Sequence, residues 1–293
     1  MKINLQYPSG LVGMAFSIGT IDKHRGREKG VLVYPVYSRR SGGLSIGINL
    51  FPGKKQCPFD CPYCEVFPFS TNEEFSIEQL ECDLYPVIDN AFRQRIEIKD
   101  ICFSGNGEPT LSADFPQALE LAGRIRGDMV PSAKIVLITN GAGLLQPEIF
   151  SYLQRAVKLH DLDIWLKLDA GTPLWYEKIN RCKIPFEKLM SKIKEFTACT
   201  PVTIQTMFCA VDGMSPPEEE IITWENLILE LVVTALENKT GGIRKIHLYG
   251  KARPAPEDPK ASILPAEYLE GRAASLKKKL SALSPVPEVE VFL

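Results

Sequence analysis

The stretch LSIGINLFPGKKQCPFDCPYC, residues 44–64, places a short apolar run just before three cysteines. Residues 44–51 are rich in β-branched and other apolar side chains, which is typical of a buried strand. The cysteines follow at positions 57, 61 and 64. The stretch therefore predicts a strand that leads into a loop carrying three closely spaced thiols.

Similar apolar runs alternate with helical periodicity along the rest of the chain. Further strands are predicted at 100–105, 134–141, 162–170, 202–209 and 243–250, and helices at 76–94, 115–127, 147–159, 185–197, 217–238 and, near the C-terminus, 265–283. Six strands that alternate with five helices indicate parallel βαβ units. Because the carboxyl ends of parallel strands share one edge, the cysteine loop should meet the motifs GNGEP, TNG, KLDA and GKARP there.

Composition narrows the class of protein. The 293 residues are 45% hydrophobic and 24% charged, enough for one large domain or two small ones. A net charge of −2 gives no overall attraction to nucleic acid or an anionic membrane. The N-terminus lacks signal-peptide features, and the best apolar run, 227–236, is too short to span a bilayer. We expect a cytoplasmic protein whose eight cysteines are not disulfide staples.

Three clustered thiols have few interpretations. A structural zinc site needs four ligands, and the other candidates, Cys82 and His24, lie in different segments. A four-iron cluster held by three cysteines instead leaves one iron open to a substrate or cofactor. Small buried apolar residues are the third interpretation, which the regular spacing and the flanking Pro58 and Pro62 disfavour.

Two motifs carry a resemblance to a known family. CPFDCPYC resembles the CxxxCxxC signature of the radical S-adenosylmethionine (SAM) superfamily, with Tyr63 just before the third cysteine. FSGNGEPTL, residues 103–111, is similar to the family's glycine-rich loop after the second strand, usually Gly-Gly-Glu-Pro. Asn106 departs from that form, but asparagine also tolerates left-handed backbone angles. The resemblance covers residues 44–250 and implies an α/β fold, a partial (β/α)6 barrel.

The barrel sets the expected organisation of the chain. Residues 1–43 would be an N-terminal segment packing on the barrel, residues 44–250 the barrel itself, and residues 251–293 a C-terminal extension of the same domain.

The resemblance also implies the cofactors. A [4Fe-4S] cluster would be ligated by Cys57, Cys61 and Cys64, with S-adenosylmethionine bound at the open iron. In the family, a reduced cluster cleaves SAM to methionine and a 5′-deoxyadenosyl radical, which abstracts hydrogen from a substrate. The implied activity is therefore that of an oxidoreductase-type radical enzyme, supplied with electrons by a donor such as flavodoxin or ferredoxin.

Eight positions are implied to contact SAM or substrate. They are Tyr63, Gly105, Asn106, Gly107, Glu108, Asn140, Lys167 and Asp169. By position in the family, Tyr63 would lie by the adenine and the 105–108 loop would hold the methionyl amine. The last three residues would lie near the ribose, the carboxylate or the substrate. A buried ion pair is the alternative interpretation of Lys167 and Asp169.

The substrate is less defined. FSGNGEPTL, LITNG and KLDAGTPLWYEKINR look most like the group containing wyosine-type tRNA-guanine synthases, which use tRNA, pyruvate and a lysine; Lys54, Lys55 and Lys167 are candidates. Residues 1–56 contain no cysteine for that group's second cluster. The slightly acidic net charge favours a small molecule or a short polymer segment over tRNA as the substrate. No membrane partner is expected.

Two other functions stay open: an activase that installs a glycyl radical on a partner enzyme, and a non-catalytic iron–sulfur or zinc protein. Outside the motifs, Cys102 and Cys209 fall in predicted strands and are interpreted as buried thiols. His247 is interpreted as a core histidine. Arg253 follows the sixth strand and would either bind a carboxylate or phosphate or lie on the surface.

Overall fold

The computed structural model describes residues 30–239 and 241–293, so the predicted packing of residues 1–29, with His24, lies outside the described residues. The strands are β1 (Val33–Ser38), β2 (Gly43–Ile48), β3 (Ile98–Phe103), β4 (Lys134–Thr139), β5 (Leu162–Lys167), β6 (Pro201–Phe208), β7 (Ala210–Val211), β8 (Gly242–Gly250), β9 (Ala261–Ser262) and β10 (Glu288–Phe292). The helices are α1 (Ile77–Arg93), α2 (Phe115–Met129), α3 (Pro147–His160), α4 (Pro173–Ile179), α5 (Phe186–Thr197), α6 (Glu218–Asn238) and α7 (Ala266–Leu280).

Eight strands form one mixed sheet in the order β1-β2-β3-β4-β5-β6-β8-β10. β1 is antiparallel to β2, and every later pair is parallel. The sheet curls into a half-barrel. All six predicted strands are confirmed, but the predicted six-strand count is too low because β1 and β10 extend the sheet at its two edges. Residue 44, the predicted barrel boundary, lies inside β2.

The predicted helices are confirmed to within three residues at each end, and one further helix, α4, was not predicted. α4 has only seven residues, too few to show a helical period. It begins because Thr172 Oγ1 accepts a hydrogen bond from the Trp175 backbone N–H at 3.2 Å. Glu220, at the start of α6, accepts the Gly171 and Thr172 backbone N–H groups at 2.5 and 2.9 Å, which anchors the turn before α4.

The two faces of the sheet differ because side chains alternate along each strand. Ile101, Leu137 and Ile164 are at most 1% exposed and belong to the main core between the sheet and the helices. Their neighbours Cys102 and Trp165, with Val136, form a separate small cluster on the concave face. That face is therefore free to line a pocket. Within residues 30–239 and 241–293, no helix is long and apolar enough to cross a membrane.

Candidate functional site

A pocket of about 250 Å³ runs over the concave face of the sheet to the carboxyl ends of its strands. Its wall includes Cys57, Cys61, Tyr63, Cys64, Gly105, Gly107, Glu108, Asn140 and Lys167. The expected meeting of the cysteine loop with the motifs after the following strands is thus confirmed. Asn106 and Asp169 are not part of the wall. Asn106 is hydrogen-bonded to the cysteine loop through Gln56, and Asp169 is hydrogen-bonded to Tyr63 of the wall.

The cysteine loop is joined to the 105–108 loop by backbone hydrogen bonds. The Gln56 N–H donates to the Asn106 carbonyl at 2.9 Å, and the Glu108 N–H donates to the Gln56 carbonyl at 2.8 Å. A Cβ atom on Gly107 would lie only 2.1 Å from the Gln56 carbonyl oxygen. Glycine is therefore required at 107 by the approach of the two loops. Asn106 contributes to the same junction, since its side-chain amide donates to the Phe51 carbonyl at 3.4 Å.

Two asparagine amides point at cysteine sulfurs. Asn140 Nδ2 donates to Cys57 Sγ at 3.4 Å, and Asn180 Nδ2 donates to Cys61 Sγ at 3.5 Å. The Asn180 carbonyl also accepts the Asp60 backbone N–H at 2.9 Å. Amide N–H donors to sulfur are among the groups that tune protein-bound iron–sulfur clusters. Asn140 was predicted as a site residue, whereas Asn180 was not.

The thiols suit a strongly cationic ligand. Burial raises the pKa of Cys57 to about 12 and that of Cys61 to about 11. Such groups ionise at neutral pH only when a cation such as a metal centre stabilises the thiolate. In the part of the chain that the structure describes, no three His, Cys, Asp or Glu groups converge on a single metal ion. A four-iron cluster held by three cysteines would take one thiolate on each of three different irons, so its ligands need not converge. The donor set therefore fits such a cluster.

Glu108 is 2% exposed and its carboxylate is largely used by the chain itself. Oε1 accepts the hydroxyls of Thr110 and Thr139, each at 2.6 Å, and Oε2 accepts the Asn140 N–H at 2.7 Å. Burial raises the pKa of Glu108, and these hydrogen bonds oppose that effect. Its position thus ties the 105–108 loop to the end of β4. The predicted contact with a ligand ammonium stays a prediction, for which Oε2 is the less occupied oxygen.

Lys167 and Asp169 form the buried ion pair that was the alternative interpretation. Lys167 Nζ lies 3.4 Å from Asp169 Oδ2 and donates to the Tyr249 hydroxyl at 2.7 Å. Burial lowers the pKa of Lys167, but Asp169 and Tyr249 outweigh it and raise that pKa above its usual value. The ammonium also lies 4.6 Å from the centre of the Tyr63 ring. Lys167 is therefore a fixed positive charge beside the cysteine loop.

Asp169 joins several elements of the site. Its carboxylate accepts the Tyr63 hydroxyl, Asn180 Nδ2 at 3.1 Å and the Met207 backbone N–H at 2.9 Å. Through these bonds, the aspartate connects the cysteine loop with α4 and β6. Sequence patterns could not show this, since Tyr63 and Asp169 are 106 residues apart.

Arg40 of the pocket wall begins a chain of polar contacts that continues into the buried interior and that the sequence did not suggest. Arg40, in the β1–β2 turn, donates to Gln205 Oε1 at 2.9 Å, and Gln205 Nε2 lies 3.3 Å from His247 Nδ1. His247 Nε2 lies 3.0 Å from a Glu290 oxygen. A neutral imidazole fits this chain, with Nδ1 accepting from Gln205 and Nε2–H donating to Glu290. His247 is 2% exposed, which confirms it as a core histidine.

A pH-dependent loss of stability is expected from His247. Burial, followed by Arg40 and Lys245, lowers the pKa of His247 to about 4. The unfolded chain binds a proton at this residue below about pH 6.5, whereas the folded chain does not do so until about pH 4. As the pH is lowered from 7 to 5, the free energy of unfolding should therefore fall by about 2 kcal/mol because of His247. Urea unfolding at both pH values measures this, and His247→Asn should show a shallower pH dependence by that amount. An identical slope in the variant would contradict it.

The structure also shows where the remaining residues considered in the sequence analysis, Cys102, Cys209 and Arg253, lie. Cys102 and Cys209 are 5% and 0% exposed, so both are confirmed as buried thiols. Arg253 lines the pocket and pairs with Glu65 at 2.6 Å, which makes it a pocket residue and not a solvated surface arginine.

Comparison with known proteins was made for sequence and for structure. No protein-family model matches the chain. Two proteins named UPF0026 from strains of Helicobacter pylori are 32% and 33% identical over 165 residues, which is 55% of this chain. The chain spans about half the length of these relatives, 48% in each case. A UPF0026 protein from Synechocystis is 29% identical over 211 residues, covering 68% of this chain and 69% of the relative.

Several solved structures share the fold. Streptococcus suis SuiB bound to S-adenosylmethionine has a TM-score of 0.57 at 14% identity, covering 81% of this chain and 48% of SuiB. SuiB bound to the precursor peptide SuiA has a TM-score of 0.59 at 14% identity, covering 87% and 51%. A radical SAM methyltransferase from Sphaerobacter thermophilus has a TM-score of 0.61 at 12% identity, covering 88% and 68%. The chain therefore has the α/β fold, with a curled parallel half-barrel sheet, of solved radical SAM structures.

Proposed function

We propose that this chain is a radical SAM enzyme that binds a [4Fe-4S] cluster through Cys57, Cys61 and Cys64 and holds S-adenosylmethionine in the adjoining pocket. One observation carries the proposal. The loop that carries the three thiols is hydrogen-bonded through Gln56 to the 105–108 loop at the carboxyl rim of a curled parallel sheet, and both loops line the same pocket. The shared fold with radical SAM structures supports it.

The chain's own residues would have distinct roles. The three thiolates would ligate the cluster, with the amides of Asn140 and Asn180 hydrogen-bonded to two of the sulfurs. Gly105 and Gly107 expose backbone in the pocket wall, and Glu108 Oε2 retains acceptor capacity for the methionyl ammonium. When bound, the cluster and SAM together supply a carbon radical that abstracts hydrogen from a substrate.

Lys167, Asp169 and Tyr63 would shape the interior of the site. Their ion pair and hydrogen bonds are already formed among themselves, so they need little reorganisation when ligands enter. Tyr63 is 7% exposed, and its ring covers the Lys167 ammonium. We infer that these three residues restrict water at the reacting centre, which protects a radical from side reactions.

The finer assignment rests on motif likeness. The segments 103–111, 137–141 and 167–181 favour the wyosine-synthase-like group, and the pocket would then take a base or another small substrate. A glycyl-radical activase is the second candidate, and it would require a partner protein as substrate. A rise in 5′-deoxyadenosine release above the level seen with SAM and dithionite alone, upon addition of small molecules and with no partner protein present, favours the first candidate over the activase.

The proposal predicts a brown iron–sulfur protein that cleaves SAM. The full chain, reconstituted anaerobically with iron and sulfide, should show cluster absorbance that dithionite bleaches. With SAM and dithionite, it should release 5′-deoxyadenosine and methionine, detected by mass spectrometry. A colourless protein that binds zinc and yields no 5′-deoxyadenosine would contradict the proposal and favour the non-catalytic metal protein.

A further inference from the structure

The pocket wall is basic although the chain as a whole is acidic. Its charged residues are the cations Arg39, Arg40, Lys167 and Arg253 and the anions Glu65 and Glu108. The net charge of the chain is −2. Two of the cations are committed to carboxylates, because Lys167 pairs with Asp169 and Arg253 pairs with Glu65. The excess of positive charge therefore comes from the β1–β2 turn, at the far end of the pocket from the 105–108 loop.

Arg40 is held in the pocket by aromatic rings. Its guanidinium carbon lies 4.9 Å from the centre of the Tyr249 ring and 5.6 Å from that of Trp165. Both distances are within the range of cation–π contacts, which leave the N–H edge of the guanidinium available. Among the described residues, neither Arg39 nor Arg40 forms an ion pair. One Arg40 nitrogen donates to Gln205, whose orientation is set in turn by His247.

The carboxylates near Arg40 have other partners. Asp100 accepts the Ser45 hydroxyl at 2.5 Å, and burial raises its pKa, whereas hydrogen bonds from Ser41 and Ser45 and the positive charge of Arg40 oppose that effect. Asp163 lies 3.8 Å from Lys134 Nζ and accepts the Thr203 hydroxyl at 3.2 Å. Glu290 contacts Lys245 and His247. In the part of the chain that the structure describes, the half-buried Arg40 guanidinium thus has no carboxylate within ion-pair distance.

Arg39 adds a second cation to the same end. Arg39, Arg40 and Arg253 all line this pocket. Burial, then Arg253 and Arg40, lower the pKa of Arg39, while Glu65 raises it. Several cations gathered in a partly desolvated pocket are stabilised when an anion enters it. Arginine is also suited to carboxylate and phosphate oxygens because its N–H groups form a planar fork.

We propose that Arg40, assisted by Arg39, binds an acidic group of the substrate, a carboxylate or a phosphate, and so orients the rest of that molecule towards the cysteine end of the pocket. This inference rests on the proposed radical SAM function for the identity of the ligand as substrate. The existence of the anion site itself is independent of catalysis. Arg40 is then the residue that selects anionic substrates.

Isothermal titration calorimetry on the anaerobic, cluster-loaded full chain tests the anion site. The probes are inorganic phosphate and succinate at constant ionic strength. We expect at least one of them to bind and Arg40→Gln to weaken that binding about ten-fold or more, the loss expected for charge-assisted hydrogen bonds. Arg40→Lys, which keeps the charge but not the planar fork, should weaken it less than Arg40→Gln. Binding of phosphate alone identifies a phosphate-bearing substrate, and binding of succinate alone a carboxylate.

Arg272→Gln is the matched control. Arg272 also lies over an aromatic ring, 5.1 Å from the centre of Tyr268, but it pairs with Glu218 and lies outside the pocket. Its replacement should leave anion binding unchanged. The inference is overturned if neither probe binds, or if Arg40→Gln and Arg272→Gln have equal effects. SAM cleavage measured in the same wild-type preparation separates the two proposals. Cleavage without anion binding overturns only the anion site, and Arg40-dependent binding without cleavage overturns only the radical SAM function.

Discussion

Replacement of Cys57, Cys61 or Cys64 by alanine is expected to abolish both the iron–sulfur absorbance and the cleavage of SAM. Each thiol supplies one of only three cysteine ligands in the proposed cluster, so no substitution leaves a complete set. The sulfurs of Cys57 and Cys61 are also held by Asn140 and Asn180, which would lose their acceptors. Iron and sulfide content together with 5′-deoxyadenosine formation measure the effect.

The cysteines outside the motif provide the control. Cys82 and Cys199 are exposed, and neither lines the pocket. Alanine at either position should leave cluster content and SAM cleavage at the level of the unmodified chain. Full activity in any one of the three motif variants would refute the ligand assignment, whatever the control variants do.

Asp169→Asn is expected to destabilise the protein by about 3–5 kcal/mol, because it leaves the Lys167 ammonium buried without its counter-charge. The amide also cannot accept all the hydrogen bonds that the carboxylate receives from Tyr63, Asn180 and Met207. For a chain of this size, the thermal midpoint should fall by roughly 10 °C. Differential scanning calorimetry of the cluster-loaded protein gives the value.

A double mutant separates loss of the ion pair from general damage. Adding Lys167→Met to Asp169→Asn removes the unpaired charge, so the double variant should be more stable than the sum of the two single losses predicts. Glu81→Gln, in the exposed pair with Arg124, should cost about 1 kcal/mol or less. Strict additivity of the two buried substitutions would show that Lys167 and Asp169 do not depend on each other.

The parallel part of the sheet could be predicted because its strands are buried, or nearly so, on both faces. Such strands have continuous runs of apolar residues in their sequences. β1 was missed for the opposite reason. Its sequence, VYPVYS, contains Pro35, which argues against a central strand but is tolerated at an edge, where β1 lies. β10, EVEVF, occupies the other edge and is only partly buried. Edge strands carry the weaker pattern.

The candidate site divides in a similar way. Residues within a motif, such as Cys57 and Glu108, could be named as candidates because the motifs that contain them resemble those of a known family. Asn180, Tyr249 and Arg40 were missed because their importance comes from partners far away in the chain. Asn180 and Cys61 are 119 residues apart, and Arg40 and Gln205 are 165 residues apart. These residues come together only because the sheet curls into a half-barrel, and no local sequence pattern predicts which distant residues that curvature brings into contact.

The junction of Gln56 with the 105–108 loop limits how this site can change over time or by engineering. The two loops share backbone hydrogen bonds, and Gly107 leaves no room for any side chain at the crossing. A shift of either loop by a fraction of an ångström must therefore move the other. Insertions or deletions between positions 51 and 57 are not a local alteration of the cysteine motif, since they would also displace the segment after β3. The motif cannot be transplanted into another scaffold without that second segment.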